Sequence, residues 1–548
     1  MIDHQHPYLL KRLERLNAIG VALSAERDNK RLLEMILLGA KEITNADGGT
    51  LYTITDDQHL KFEIMSNKSL NIAMGGTTGK DIPFLPLPLY LEDGSPNLTT
   101  VAAYATLKNK TVNIENAYQA QDFDFTGTRK FDEKTGYHSQ SFLTIPMKNH
   151  EEEIIGVLQL INAIDIDTQE IIPFSAANQS LVESLASQAA VAMTNHNLIE
   201  GLKGLFEAFI ELIAEAIDQK SPYTGGHCRR VPELTMMLAQ AAIDAKTGPL
   251  KDFTLSEIEF YELKIAGWLH DCGKVTTPES VMDKSTKLSG IFDRILLLDQ
   301  RFELLKNQKE CEVLKKQVEA LRNGKQGSGQ PDYFSKLESE LEAFKLKCDE
   351  DRDFLRKSNF GSESMTVEDQ QRVRDIAAVT ILNADGQLSP FLSENEVYNL
   401  SIVQGTLTAE EREIINNHIV VTINMLESLP YPKSLQRVPE YAGGHHERMD
   451  GGGYPKGLTR EQMSVPARVM GVADIFEALT SKDRPYKKAK TLSESLHILG
   501  RMKLNHHIDP DLFDIFVREK IYLRYAQQFL EPEQIDDVDE AKIPGYQP

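Results

Sequence analysis

Cysteine is scarce: four in 548 residues, Cys228, Cys272, Cys311 and Cys348, scattered without a disulfide-like or metal-like spacing. That excludes a disulfide-stapled fold and points to free thiols in a reducing cytoplasm. Positive charge is also short. With 60 Lys and Arg against 82 Asp and Glu, a formal charge of −22 and a pI near 5.2, the surface repels polyanions. Polymeric nucleic acid and anionic membranes are therefore excluded as bulk partners. A small nucleotide stays open, because metal ions and a few local cations can hold its phosphates. Long apolar runs are missing as well. The most apolar long stretch, Leu205 to Ile217, is interrupted by Glu207, Glu211 and Glu215, so it reads as an amphipathic helix of a soluble protein and no membrane span is expected. The N-terminus has no basic region followed by an apolar core, and no secretion signal is expected.

What is present is enough chain for two or three domains. Residues 8 to 45 carry apolar positions at helical spacing: Leu9, Leu13 and Leu16, then Leu32, Leu33, Ile36, Leu37 and Ala40. Short β-branched runs follow at Thr50–Thr55, Leu60–Met65, Thr111–Ile114, Ser141–Met147 and Ile154–Ile161, the last two flanking a polar turn that predicts a hairpin. An N-terminal helix over 1–29 and an α+β domain over 30–177 are expected. A long helix comes next, with a connecting stretch at 178–205. Leu198, Leu202, Leu205, Phe209, Leu212 and Ala216 are spaced 4, 3, 4, 3, 4, a heptad seam that fits either packing on its own domain or a parallel homodimer stalk. A second domain is placed at 206–530, followed by a C-terminal tail at 531–548. It is interrupted by an insertion at about 291–358, where Leu297, Leu304, Cys311 and Val318 recur every seven residues. Gly324 to Pro331 break the pattern before Leu337, Leu341, Phe344, Cys348 and Leu355 resume it. Two charged helices joined by a short loop predict an antiparallel hairpin, either structural or an arm for a protein partner.

The chemistry-bearing residues lie in that second domain. His445-His446-Glu447 runs into a glycine-rich turn ending Gly453-Tyr454-Pro455, and His270-Asp271-Cys272-Gly273-Lys274 places an imidazole, a carboxylate and a lysine within one helical turn. His227 follows two glycines at a helix start. His418 sits on an apolar stripe with Ile414, Val421 and Met425, where a satisfied core histidine is the ordinary reading. Asp474 interrupts an apolar helix and needs a partner if buried: a cap, an ion pair or a metal. Five histidines and two aspartates can supply two divalent ions if one carboxylate bridges. Such a centre suits Fe, Mn, Zn or Ni better than calcium.

Two resemblances organise these observations. Lys134-Thr135-Gly136-Tyr137 and Ile154 to Asn162 resemble a GAF domain, which implies an α+β sensor fold taking a small ligand. Cyclic-nucleotide-binding members continue differently after that Asn, where Ala163 stands here, and no cysteine precedes Cys228 for a covalent tetrapyrrole. The second domain, from about Phe206 to Arg524 outside the insertion, resembles an HD-GYP domain through His270-Asp271, Gly273-Lys274, His418, His445-His446-Glu447, Asp450 and Gly453-Tyr454-Pro455.

The fold class implied is thus multidomain: a GAF-like α+β sensor, a long connecting helix, and an all-α HD-GYP domain with an inserted antiparallel hairpin. The resemblance implies a cytoplasmic, ligand-regulated phosphodiesterase that hydrolyses cyclic di-GMP to the linear dinucleotide or to GMP. His227, His270, Asp271, His418, His445, His446 and Asp474 become ligands of two ions, Fe or Mn, with Asp271 as the catalytic bridge. Lys274 becomes a catalytic phosphate contact, and Arg484 and Lys487 further substrate contacts. Relatives that bind a third iron carry Glu four residues before the first ligand histidine; Tyr223 stands there in this chain, which implies two ions. A non-catalytic cyclic-dinucleotide receptor and a phosphohydrolase acting on another nucleotide are the alternatives.

Overall fold

A computed structural model of the chain describes residues 5–220, 226–322, 330–361, 364–383, 385–481 and 489–547. The chain divides into two compact units, Met1–Leu205 and Phe206–Pro548.

The first unit begins with helices α1 (Gln5–Ala25) and α2 (Asn29–Thr44). Asp28 caps α2 by accepting from Arg31 N, and Asn45 ends it in the left-handed conformation. Strands β1 (Ala46–Ile54), β2 (His59–Asn67), β3 (Ile72–Gly75) and β4 (Leu87–Pro88) lead to α3 (Val101–Lys108), β5 (Val112–Ile114) and α4 (Thr126–Thr135). Strands β6 (Phe142–Lys148), β7 (Ile154–Ile164) and β8 (Ile171–Ile172) then lead into the helix α5 (Ala176–Lys220). The sheet order is β3-β2-β1-β7-β6-β5, with β4 on β2 and β8 on β7, and every pairing is antiparallel.

The α2 stripe of Leu32, Leu33, Ile36, Leu37 and Ala40 is buried with Leu51, Ile145, Leu158 and the α5 residues Val182, Leu185 and Ala189. On α1 the face differs from expectation. Leu16, Ile19 and Leu23 are buried while Leu13 is 45% exposed, because the helix presents the 16/19/23 face to α2.

The second unit contains α6 (His227–Asp244), α7 (Glu257–Leu269), a 3-10 turn (Cys272–Thr276), α8 (Glu279–Met282), α9 (Ile295–Arg322), α10 (Gln330–Asn359) and α11 (Val367–Ala377). A small hairpin, β9 (Thr380–Leu382) with β10 (Leu388–Pro390), precedes α12 (Glu394–Leu400), α13 (Ala409–Asn416), α14 (His418–Glu427) and α15 (Val438–Gly443). Helices α16 (Val465–Thr480), α17 (Leu492–Leu504), α18 (Pro510–Arg518) and α19 (Ile521–Phe529) complete it.

Its main core gathers α6, α7 and α15 to α19 around Leu238, Leu263, Tyr441, Phe476 and Phe516. Ile543 and Tyr546 join that core, and Gln534 donates to Thr480 O at 2.8 Å. The segment expected to be a tail is therefore packed.

The insertion has its own core, in which Leu298, Phe302 and Leu305 of α9 meet Cys348 and Leu355 of α10, together with Val373, Ile381, Phe391 and Leu400. It thus draws in residues well beyond 358. Ion pairs Lys306–Asp349 and Arg356–Asp299 set α9 and α10 antiparallel. The heptad read on α9 does not face inward: Leu297, Leu304 and Val318 are 42%, 44% and 45% exposed and Cys311 is exposed. Leu298, Phe302, Leu305 and Val313 turn inward instead.

Candidate metal centre

The centre is assembled from helix ends. His270 and Asp271 follow the last residue of α7, so the segment is a helix terminus running into the 3-10 turn rather than one continuous helix. His418 stands where α13 gives way to α14. Its stripe is not the expected one: Ile414 and Met425 are 43% and 39% exposed, and His418 is buried with Ile419, Thr422, Ile423 and Leu426. The expected Val421 and Met425 lie on the same α14, whose buried face runs through 418, 419, 422, 423 and 426 instead. His445 and His446 follow α15, His227 opens α6 behind Gly226 at φ 86°, and Asp474 lies in mid-α16, away from any cap.

These seven residues converge. Asp271, 2% exposed, turns Oδ2 toward His227 Nε2 and His270 Nε2, both at 3.2 Å, and Oδ1 toward His418 Nε2 at 3.2 Å. Asp474 Oδ1 lies 3.3 Å from His227 Nε2 and 3.8 Å from His270 Nε2. His446 Nε2 is 3.2 Å from His418 Nε2, and His227 Nε2 is 3.3 Å from His270 Nε2. Three clusters have ligand atoms mutually within 4.8 Å: His227, His270 and Asp474; His418, His445 and His446; and His270, Asp271 and His445.

Hydrogen bonding behind the rings fixes what faces inward. His270 Nδ1 donates to Gly267 O at 2.7 Å, His418 Nδ1 to Ile415 O at 2.5 Å and His445 Nδ1 to Ala442 O at 2.6 Å. His227 Nδ1 donates to Glu477. Each of these rings therefore keeps one proton outside on Nδ1 and directs Nε2 inward, where it offers a lone pair whenever the ring is neutral. Asp271 Oδ1 and His445 Nε2 are buried without a hydrogen-bond partner. A cluster of inward lone pairs and two carboxylates is repulsive unless a cation sits in it, and imidazole with carboxylate is a donor set for divalent transition metals. The residues present fit such ions.

With no cation the acceptors compete for protons. Burial opposes charge on His227, yet Glu477, Asp271 and Asp474 hold its pKa well above the ordinary value. Burial, then the neighbouring imidazoles, push His445 well below it, and burial pushes His446 down to about 4. Lys274 is held up by Asp271 against its own burial, with Nζ on Asp271 Oδ2 at 2.5 Å. Cys228 and Cys272 stay protonated thiols, burial raising both and taking Cys272 to about 11.

Gly273 lets this turn press on α14. A Cβ there would meet His418 O at 2.0 Å and Thr422 N at 2.6 Å, while Gly273 N donates to Thr422 Oγ1 at 2.9 Å. Gly273→Ala must push α14 and His418 away, and is expected to lower stability by about 3 kcal/mol. Denaturant melts of the two proteins check this; an unchanged midpoint would contradict the packing.

Glu447, 3% exposed, accepts from Lys456 N and Leu458 N, both at 2.8 Å. It folds the Gly453-Tyr454-Pro455 turn back so that Tyr454 stacks on His446, with centroids 4.9 Å apart. Beside the cluster opens a cavity of about 450 Å³ lined by His446, Arg448, Tyr454, Asp474, Met502 and His507. Tyr223, Arg484 and Lys487 lie outside the described residues. Sequence reasoning missed Glu477, whose signal was its place one turn after Asp474 on the same helix.

Profile comparison decides the domain content. The GAF domain profile matches residues 28–193 and an HD domain profile matches residues 393–512. The chain carries a GAF domain followed by an HD domain. His418, His445, His446 and Asp474 fall inside the HD match, whereas His227, His270 and Asp271 precede it. Over 81 residues the chain is 42% identical to 3′3′-cGAMP-specific phosphodiesterase 1 of Vibrio cholerae, covering 15% of this chain and 19% of that one. Over 114 residues it is 39% identical to a cyclic di-GMP phosphodiesterase of Pseudomonas aeruginosa, covering 21% and 26%. A cyclic di-GMP phosphodiesterase of Thermotoga maritima is 33% identical over 126 residues, covering 21% and 34%. The matched stretches span between 19% and 38% of the length of such relatives.

The GAF domain holds a second cavity, about 490 Å³, lined by Tyr52, Phe62, Phe125, Phe142, Asn67 and Thr100 among others; no Lys or Arg is among its described lining residues. No described helix is long and apolar enough to cross a membrane.

Proposed function

We propose that the second unit is a two-metal phosphodiesterase that opens a cyclic dinucleotide, with cyclic di-GMP as substrate. The observation that carries this reading is the converging set of inward lone pairs around Asp271. His227, His270 and Asp474 would hold one ion and His418, His445 and His446 the other, with Asp271 between them. Bound there, a pair of divalent ions supplies a water acidic enough to act as a nucleophile near neutral pH and neutralises charge on the phosphoryl oxygens. Fe or Mn is the metal we assign.

The chain's own groups do the remaining work. Lys274 is positioned to leave Asp271 for a non-bridging phosphate oxygen. Tyr454, braced on His446, forms one wall of the cavity beside the cluster. Arg484 and Lys487 are assigned to the second phosphate or a guanine.

The names of the matched relatives support a cyclic dinucleotide, and three of them name 3′,3′-cGAMP, which stands as the alternative substrate. The test is hydrolysis of cyclic di-GMP by anaerobically metal-loaded full chain in competition with 3′,3′-cGAMP and GTP. Turnover of GTP alone would overturn the reading.

Regulation is assigned to the GAF domain. Its cavity, walled by aromatic rings and with no Lys or Arg among its described lining residues, suits a small ligand without phosphates better than a cyclic nucleotide. Along α5, Leu198, Leu202, Leu205, Phe209 and Leu212 are each more than half exposed, while Ile210, Ala214 and Ile217 on another face are buried. We assign this outward seam to a parallel homodimer. Leu205→Glu combined with Phe209→Glu should convert a dimer to a monomer in sedimentation velocity; a double variant that stays dimeric contradicts the seam.

A further inference from the structure

The rings of this cluster are braced in two ways, and the difference follows from where each histidine sits on its helix. His270, His418 and His445 come directly after α7, α13 and α15 or within two residues of their ends, and each donates Nδ1 to a carbonyl three residues back. Such last-turn carbonyls are what a helix C-terminus offers. His227 stands at the opposite kind of end. It is the first residue of α6, where a helix presents N–H groups and no carbonyl for a ring to use.

Glu477 takes the carbonyl's place. It is fully buried, and one carboxylate oxygen accepts from His227 Nδ1 while the other accepts from Arg230 Nε at 2.6 Å. Arg230 lies one turn after His227 on α6, and Glu477 lies one turn after Asp474 on α16. The two helices thus present a ring and a carboxylate to the cluster, and lock them with an ion pair just behind. A carboxylate behind a ligating imidazole fixes its tautomer and makes it a stronger donor than a carbonyl does.

Resting on the two-metal reading, we propose that Glu477 is a positioning residue for His227: it holds Nε2 toward Asp271 and Asp474, and makes the His227, His270 and Asp474 position the tighter of the two. The position served only by carbonyl-braced and unbraced rings, His418, His445 and His446, is then the weaker one and does not depend on Glu477.

The test is stepwise metal binding, read without reference to turnover. Stripped full-length protein is titrated with Mn²⁺, free ion being followed by its EPR signal, for the native chain, Glu477→Gln and Glu477→Asp. The native chain should show two steps of different affinity. Glu477→Gln, nearly isosteric and uncharged, should weaken the tighter step by about 10- to 100-fold and leave the other within about twofold. Glu477→Asp, charged but one methylene short, should weaken the same step by less. Melting of the metal-free proteins separates positioning from folding: a variant that melts with the native chain and still loses only the tight step supports the assignment. Both steps unchanged, or both weakened alike, overturns it. A native chain that binds fewer than two ions overturns the two-metal reading itself, a result distinct from either of those.

Discussion

Asp271→Asn should reduce hydrolysis of the cyclic dinucleotide by at least about 10³-fold, about 4 kcal/mol of barrier, and strip the protein of metal on dialysis. The expectation comes from where the two oxygens point. Oδ2 faces His227 and His270 while Oδ1 faces His418, so this carboxylate stands between the two groups of side chains proposed to hold the ions. An amide keeps the shape but removes the charge, and it turns an N–H₂ toward ring nitrogens whose own protons are committed to Gly267 and Ile415 carbonyls. Lys274 would also lose its counter-charge, since its ammonium rests on Oδ2. The checks are metal content after dialysis and single-turnover hydrolysis. An Asp271→Asn protein that retains two ions and the native rate would show that Asp271 is not the bridge.

The second large effect is expected at Glu447, which touches neither substrate nor metal in this account. Its two oxygens hold the backbone N–H groups of Lys456 and Leu458, charge-assisted bonds worth about 1.5–3 kcal/mol each. Glu447→Gln can accept from one N–H but presents an amide donor to the other, so stability should fall by about 2 kcal/mol. The turn carrying Tyr454 then loosens and the ring no longer holds its place in the cavity wall. The outcome expected is kcat/KM for the cyclic dinucleotide down tenfold or more with metal content unchanged. Denaturant melts, metal analysis and steady-state kinetics on one preparation check it. Loss of metal in step with loss of rate would mean that Glu447 supports the ligands themselves rather than the substrate wall.

How much of this was legible in the sequence depends on the kind of signal. Period exposed the α2 stripe because it buries one face, and composition exposed the β6–β7 hairpin because two apolar runs flank a polar turn. The pairing of His270 with Asp271 and of His445 with His446 was legible because adjacent converging side chains leave a local motif. The fine choice of face was not. On α9 apolar residues adjoin at Leu297–Leu298 and Leu304–Leu305, and contact with α10 and β9 turns Leu298, Phe302 and Leu305 in. His418 was placed on the wrong stripe because α14 carries Ile419, Val420, Val421, Ile423, Met425 and Leu426 almost all round, and an apolar period so broad does not choose a face. The last residues were read as a tail, since a few apolar side chains among acids do not announce that Ile543 and Tyr546 close a core. Glu477 was missed for a different reason: its place one turn after Asp474 gains meaning only through His227, 250 positions away in the chain.

The central claim is that the cluster around Asp271 holds two ions for opening a cyclic dinucleotide. It is tested most directly by loading the full chain with Fe²⁺ or Mn²⁺ under anaerobic conditions, counting ions per chain, and following cyclic di-GMP and 3′,3′-cGAMP in the same sample by chromatography. The account predicts two ions per chain and conversion of a cyclic dinucleotide to its linear form, with both lost together in His270→Ala and Asp271→Ala. Two ions bound with neither cyclic dinucleotide consumed would contradict it.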